Sequence, residues 1–131
     1  MAERPRDRLG RPLPIDTAPE DAAPPVIDVT GLDDDAVWAV ALDYLDRGMP
    51  FHAHEVFEQR WRSASGPVKE AWRALAQWGA ALTHAERGND DGARRLAERA
   101  LETLESASAV PTCIDAPRVR TSCAGLSADP D

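Results

Sequence analysis

Residues 51–61 read Phe-His-Ala-His-Glu-Val-Phe-Glu-Gln-Arg-Trp, which places two histidines, two glutamates and three aromatic residues in one short stretch. Pro50 suits the first turn of a helix here, because the amide that proline lacks would be unpaired at that position. At about 3.6 residues per turn, one side of the helix carries Phe51, His54, Glu58 and Trp61. Large aromatic residues usually mark the face turned towards a core. The stretch therefore predicts a helix whose buried side holds a histidine and a carboxylate.

The polar groups on that side need partners. A carboxylate removed from water is costly unless a cation, a metal ion or several hydrogen-bond donors neutralise it. His54 and Glu58 are four residues apart and so neighbour each other on the helix, with Glu55 at the edge of the same face. His52 falls on the other side of the helix, and we expect it to be a surface residue.

Two amphipathic helices are predicted before and after the central part of the chain. The first spans about residues 34–47, with Asp33 as its cap and Gly48 as its stop. The other follows Asn89, which can cap it, and carries a regular apolar stripe over residues 93–104. Connections as short as these favour antiparallel neighbours.

A longer helix is predicted between them, from residue 67 or 68 to about residue 87. It is apolar nearly all round in its middle, which is typical of a central helix. One stripe is polar and carries Arg73, Gln77 and His84. This stripe faces either solvent or the His54 and Glu58 side of the neighbouring helix.

Three blocks of this sequence resemble one known family. Residues 51–61 are similar to the Phe-x-Ala-His-Glu-x-x-Glu-x-x-Trp signature of domain of unknown function 309 (DUF309), a family of small all-helical bacterial and archaeal proteins. Residues 75–84, Leu-Ala-Gln-Trp-Gly-Ala-Ala-Leu-Thr-His, resemble its central helix, and residues 87–93, Arg-Gly-Asn-Asp-Asp-Gly-Ala, resemble its Arg-Gly-Asn-x-x-Gly-Ala turn. The resemblance covers roughly residues 32–104. It implies an all-helical fold, a predicted metal-dependent hydrolase activity, and site roles for Gln77, His84 and Asn89.

The fold class that we predict is all-α: a small antiparallel bundle of about four helices over residues 29–106. Residues 1–28 hold six of the eleven prolines and are predicted to form a Pro-rich arm, partly disordered or docked on the bundle. Residues 4–14 resemble an opening segment of some DUF309 members, which makes the arm arginines candidate partners for buried carboxylates. The apolar pattern ends after Ser106, and the remaining sequence contains Pro117 and Gly125, so residues 107–131 are predicted to be an irregular tail.

Composition excludes several classes of function. The net charge is −8, and seven acidic residues between Asp16 and Asp35 meet no Lys or Arg, which argues against nucleic acid as a partner. No apolar run is long enough for a membrane span and no signal peptide is evident, so we expect a cytoplasmic protein. Cys113 and Cys123 form no Cys-x-x-Cys pair, which leaves a zinc ribbon or redox motif unsupported. So small a bundle would gain from a second copy, and a homo-oligomer is expected.

One interpretation of the polar cluster is a divalent metal site. His54 and Glu58 are spaced to reach one ion, His84 would supply a ligand from the long helix, and Glu55 lies beside them. Nitrogen and carboxylate ligands suit zinc, manganese or iron. The protein would then be a metal-dependent hydrolase with Glu55 or Glu58 as the base.

The other interpretation, which the sequence favours, is a buried polar network. In it Glu55 and Glu58 accept hydrogen bonds from the Trp61 or Trp72 indole, from His84, or from an arm arginine. Networks of this kind fix the register between helices and can line a small-molecule pocket. The protein would then be a structural, interaction or ligand-binding module.

Overall fold

The computed structural model describes residues 4–128 and, within them, the chain is all-helical, as predicted. Its helices are α1 (Asp34–Asp46), α2 (Pro50–Ser63), α3 (Lys69–Glu86), α4 (Asp90–Ser106) and α5 (Ala116–Ser127). Short 3-10 turns lie at Pro19–Asp21 and Gly66–Val68. Each helix packs on the next one along the chain, and α5 also contacts α3. None of the helices over residues 4–128 combines the length and the apolar content that crossing a membrane requires.

Side-chain caps set where α1 and α4 begin. Asp33 accepts a hydrogen bond from the amide of Ala36 at 2.9 Å, and Asn89 accepts one from the amide of Gly92 at 3.1 Å. These bonds satisfy amides that have no partner inside the helix. They start α1 and α4 at the positions that the sequence predicts.

Aromatic residues from three helices form the core around α3. Trp72 and Trp78 of α3 are almost fully buried, as is Phe57 of α2. The Phe57 ring lies 6.4 Å from Trp72, 6.1 Å from Trp78 and 6.1 Å from Trp38 of α1. The face of α2 that carries Phe57 therefore points inwards, and the face that carries His54 and Glu58, which the sequence predicts to be the buried one, is only half-buried.

The backbones of α2 and α3 touch at Gly79. A Cβ atom added to Gly79 would lie 2.7 Å from the Cα atom of His54, closer than real Cβ atoms come to backbone. A residue without a side chain is therefore required at this crossing, since any larger one would push α2 and α3 apart. The contact brings His54 against the turn of α3 that precedes Gly79.

The prediction of an irregular C-terminal tail is wrong for residues 116–127, which form α5, and the bundle has five helices over residues 4–128 instead of about four. Asp115 caps α5 by accepting a hydrogen bond from the amide of Arg118 at 3.1 Å. Pro117 lies in the first turn, where proline is tolerated because its missing amide has no helical partner. Val119 and Cys123, one turn apart, are buried against the core and anchor the helix. The far ends of the predicted arm and tail, residues 1–3 and 129–131, lie outside the described residues.

Alkylation of Cys123 tests the packing of α5. Burial raises the pKa of the Cys123 thiol to about 11. In a Cys113→Ser variant, which leaves Cys123 as the reporting thiol, we expect iodoacetamide at pH 8 to react about 100-fold more slowly with the folded protein than with the urea-unfolded protein, because little thiolate is present. Equal rates in the two states would show that α5 does not cover Cys123.

Candidate functional site

The N-terminal arm is ordered by its own hydrogen bonds. The amide of Leu13 donates to the Pro5 carbonyl at 2.8 Å, and the Asp7 carboxylate accepts from the amides of Leu9 and Arg11 at 2.9 and 3.0 Å. Burial opposes ionisation of Asp7, but the hydrogen bonds from Arg11 and Leu9 outweigh it and hold the pKa of Asp7 below its ordinary value. The arm residues thus form a tight turn with a fixed shape.

This turn docks on the bundle through residues of the family-like blocks. Leu9 is buried and its carbonyl accepts a hydrogen bond from Arg87 Nε at 3.0 Å. Gly10, with φ of +77°, lies directly on the ring of Phe51. The guanidinium of Arg6 also lies over this ring, 5.7 Å from its centre. Phe51 and Arg87 therefore act as the docking points of the arm.

The later part of the arm is bonded to α2. Gln59 donates from Nε2 to the Ile27 carbonyl at 3.0 Å and accepts from the Val29 amide at 2.9 Å. His52 donates from Nε2 to the Pro24 carbonyl at 2.6 Å. The expectation that His52 is a surface residue is wrong: its side chain is 2% exposed, because the arm covers the face of α2 that would otherwise meet water. Sequence reasoning also missed Gln59, whose partners are backbone atoms of the arm.

Replacing Gly10 with alanine tests the docking of the arm. Its Cβ would overlap the Phe51 ring, and the positive φ adds backbone strain. We expect trypsin to cleave the arm about tenfold faster or more, because the docked state is destabilised. Gly31→Ala is the matched control, since Gly31 has φ of +83° but nothing within 4 Å of its added Cβ. If both variants are cleaved at the same rate, the contact with Phe51 does not hold the arm.

His54 and Glu58 are in contact on the half-buried side of α2. His54 Nε2 lies 3.1 Å from Glu58 Oε2, and the two side chains are 22% and 21% exposed. Glu55 completes a group of three donors whose ligand atoms all lie within 4.8 Å of one another. Arg62, one turn further along α2 and mostly exposed, also contacts the Glu58 carboxylate. The cluster is thus accessible to small ions while being anchored on a rigid helix.

A backbone carbonyl of α3 fixes the tautomer of His54. His54 Nδ1 lies 2.8 Å from the carbonyl oxygen of Ala76, which can only accept, so Nδ1 carries a proton. In the neutral ring Nε2 is then an acceptor, and it faces the acceptor oxygen of Glu58 at 3.1 Å. Two acceptors at this distance require a cation between them, which is either a proton or a metal ion.

His84 and Asn89 lie apart from this group. Asn89 donates from Nδ2 to His84 Nδ1 at 3.0 Å while its oxygen caps α4. His84 shares a cavity of about 130 Å³ with His54 and Arg87 but is not one of the three clustered donors. Over residues 4–128 the group that could hold a metal ion is His54, Glu55 and Glu58, and the predicted ligand His84 is not part of it.

The predicted donors to the carboxylates are not used. The indole nitrogens of Trp61 and Trp72 are buried without a hydrogen-bond partner among residues 4–128, as is the side-chain oxygen of Gln77. The polar stripe of α3 instead contributes the backbone carbonyl of its neighbour Ala76, because the close crossing at Gly79 brings backbone, not side chains, against His54.

The arm arginines are also used differently from the prediction. Arg4 donates to the Leu13 carbonyl at 2.7 Å, and Arg6 donates to the Gly10 carbonyl at 2.7 Å. The arginine that contacts the Glu58 carboxylate is Arg62, which lies on α2 itself. The arm therefore shapes the site without neutralising the clustered carboxylates.

Fold and site together define a small all-helical protein with a histidine–glutamate cluster on its second helix. The model of the family described as a domain of unknown function (DUF309) matches residues 38–96, which contain all three family-like blocks. The predicted family is confirmed, and this segment of the chain belongs to DUF309. No curated protein and no solved structure matches the chain.

Proposed function

We propose that this protein binds a divalent transition-metal ion through His54, Glu55 and Glu58. The observation that carries the proposal is the contact of His54 Nε2 with Glu58 Oε2 at 3.1 Å while Nδ1 is committed to the Ala76 carbonyl. One ligand atom from each of the three residues lies within 4.8 Å of the other two, a separation that one divalent cation can bridge.

The donor set supports a particular class of ion. One imidazole nitrogen and two carboxylates suit zinc, manganese or iron. Histidines that bind metals usually donate their other ring N–H to a carbonyl or carboxylate, which orients the ring, and the bond to Ala76 has this form. Three protein ligands also leave coordination positions open, as catalytic sites do and closed structural sites do not.

The activity that we propose for such a site is hydrolysis. The ion, when bound, supplies the Lewis acidity that polarises a carbonyl or phosphoryl group. Of the two carboxylate ligands, Glu55 is the one that we propose to leave the ion and act as the base, because it also lines a larger cavity between the arm and α2. Glu58 is less suited to that role because it already contacts both His54 and Arg62.

A second candidate function is a metal-free structural module. It is favoured by the contact of Arg62 with Glu58, which supplies one positive charge to the cluster without an ion. A proton shared between His54 and Glu58 would supply the other. In that case the cluster would hold α2 in register on α3 through the bond of His54 to the Ala76 carbonyl, and its role would be to stabilise the fold.

Metal analysis of protein purified without an affinity tag separates the two. We expect one Zn²⁺ per chain at equilibrium in the unmodified protein and none in His54→Ala. His84→Ala is the control: it removes a histidine that is bonded to Asn89 outside the cluster, so it is expected to keep its zinc. A chain that binds no Zn²⁺, Mn²⁺ or Fe²⁺ at micromolar concentration would favour the structural module, and equal losses in both variants would contradict the ligand assignment.

A further inference from the structure

A cavity of about 450 Å³ lies between the docked arm and α2. Small-molecule pockets usually measure about 300–1,000 Å³, so the space suits a ligand of modest size. The arm supplies one wall through the segment from Ala23 to Val26, and α2 supplies the other through Phe51 and His52. Hydrogen bonds from His52 and Gln59 hold the two walls together, so the cavity is built into the fold.

Four charged side chains line this cavity, two of each sign: Arg4, Arg6, Asp28 and Glu55. No ion pair over residues 4–128 joins any two of them, although they border one space. The ring nitrogen Nδ1 of His52 is also left without a hydrogen-bond partner in that part of the chain, and the residue is 2% exposed. Arg4, Arg6 and Asp28 are exposed to water and need no protein partner, so the buried acceptor without a partner in the wall of the cavity is the observation that points to a ligand.

The charged groups are held in place by backbone contacts. Arg4 and Arg6 each donate one N–H to an arm carbonyl, at 2.7 Å in both cases, which leaves further guanidinium N–H groups for a ligand. Hydrogen bonds from the side chain and amide of Thr30 hold the pKa of Asp28 below its ordinary value, so this group is anionic at neutral pH. The wall therefore keeps fixed charges of both signs.

We propose that the cavity between the arm and α2 binds a small zwitterion of about dipeptide size, with its carboxylate on Arg4 and Arg6 and its ammonium group towards Glu55 and Asp28. A purely anionic ligand would face two carboxylates, and a purely cationic one would face two guanidinium groups. A ligand that carries both charges pairs all four. Apolar atoms of Phe51, Val26 and Pro25 in the same walls suit an aliphatic side chain.

This inference goes beyond metal binding and can fail or succeed without it. Arginine contacts to a carboxylate are charge-assisted and are frequently bidentate, so they dominate the recognition of that end. His54 and Glu58, which carry the proposed metal, do not line this cavity. Glu55 alone belongs to both sites and is therefore left unchanged in the variants that test the ligand.

Isothermal titration of the full chain, freed of metal with a chelator, tests the proposal with three matched probes. These are glycyl-leucine, which is zwitterionic, N-acetyl-glycyl-leucine, which keeps only the carboxylate, and glycyl-leucinamide, which keeps only the ammonium group. We expect glycyl-leucine to bind about tenfold more tightly or more than either blocked form, because each blocked form leaves one pair of protein charges without its partner.

Substitutions of the two arginines test whether they bind the carboxylate of the ligand. Arg6→Gln and, independently, Arg4→Gln are expected to weaken glycyl-leucine binding about tenfold each, with zinc binding unchanged. Arg11→Gln is the control on the same arm, because Arg11 pairs with Asp7 and does not line the cavity. Equal affinity for all three probes, no binding of glycyl-leucine at about 10 mM, or retained affinity in both arginine variants would each overturn the proposal, whatever the zinc result.

Discussion

Replacing Gly79 with alanine is expected to lower the free energy of unfolding by about 3 kcal/mol. The added methyl group would meet the His54 backbone at 2.7 Å, and backbone atoms of a packed helix cannot rotate away as a flexible side chain can. Helices α2 and α3 would have to separate along a contact that carries much of the core. Urea denaturation followed by circular dichroism measures the change.

Gly125→Ala is the matched control for this prediction. Gly125 also lies inside a helix, but nothing lies within 4 Å of its added Cβ. The same substitution is expected to be neutral or to stabilise the protein by up to about 1 kcal/mol, because alanine favours helix. If the two variants have the same stability, α2 and α3 do not cross closely at Gly79.

Zinc is expected to stabilise the folded protein by about 2.7 kcal/mol when its free concentration is 100 times its dissociation constant. The proposed metal site exists only when α2 is folded against the Ala76 carbonyl, so an ion bound there would favour the native state. Urea denaturation with and without buffered Zn²⁺ measures the shift.

Glu58→Gln separates the metal from the structural network. The amide of the new glutamine can donate to His54 Nε2 and keep the contact with a neutral ring, so the metal-free protein is expected to stay within about 1 kcal/mol of the parent. The negatively charged ligand is lost, so the stabilisation by zinc is expected to disappear. A variant that is strongly destabilised without metal, or that keeps the full zinc effect, would show that Glu58 acts in the network and not as a ligand.

The sequence predicts helices and local neighbours well because both depend on short separations. The caps at Asp33 and Asn89 lie beside the helices they start, and their geometry follows from one side chain and one turn of backbone. The contact between His54 and Glu58 follows in the same way from a spacing of four residues on α2. The predicted buried face of α2 is wrong: Phe51, His54, Glu58 and Trp61 are only half-buried, and the fully buried side of the helix carries Ala53, Val56 and Phe57.

The rest depends on contacts between distant parts of the chain. Arg87 bonds to the carbonyl of Leu9, 78 residues away, and no local pattern encodes that pairing. The group that orients His54 is a backbone carbonyl of Ala76, which any residue at that position would supply. The helix pattern alone places His52 at the surface, because that pattern does not contain the arm that covers it.

Helix α5 escapes prediction for a different reason. Its composition is polar, and Pro117 resembles a break when it is considered without the cap at Asp115. A short helix needs few apolar residues when a core already exists, and Val119 with Cys123 supplies them. The hydrogen bond from Trp78 to Ser122 at 2.8 Å adds a polar contact that apolar periodicity does not register.

The most direct test of metal binding is long-range proton–nitrogen NMR of the imidazole rings during a Zn²⁺ titration. The chain has three histidines, so each ring can be assigned by substitution. We expect His54 Nδ1 to remain protonated throughout and Nε2 to move to the shift of a metal-bound nitrogen, while His52 and His84 stay unchanged. A His54 ring that does not respond to zinc, or that binds it through Nδ1, would contradict the proposed site.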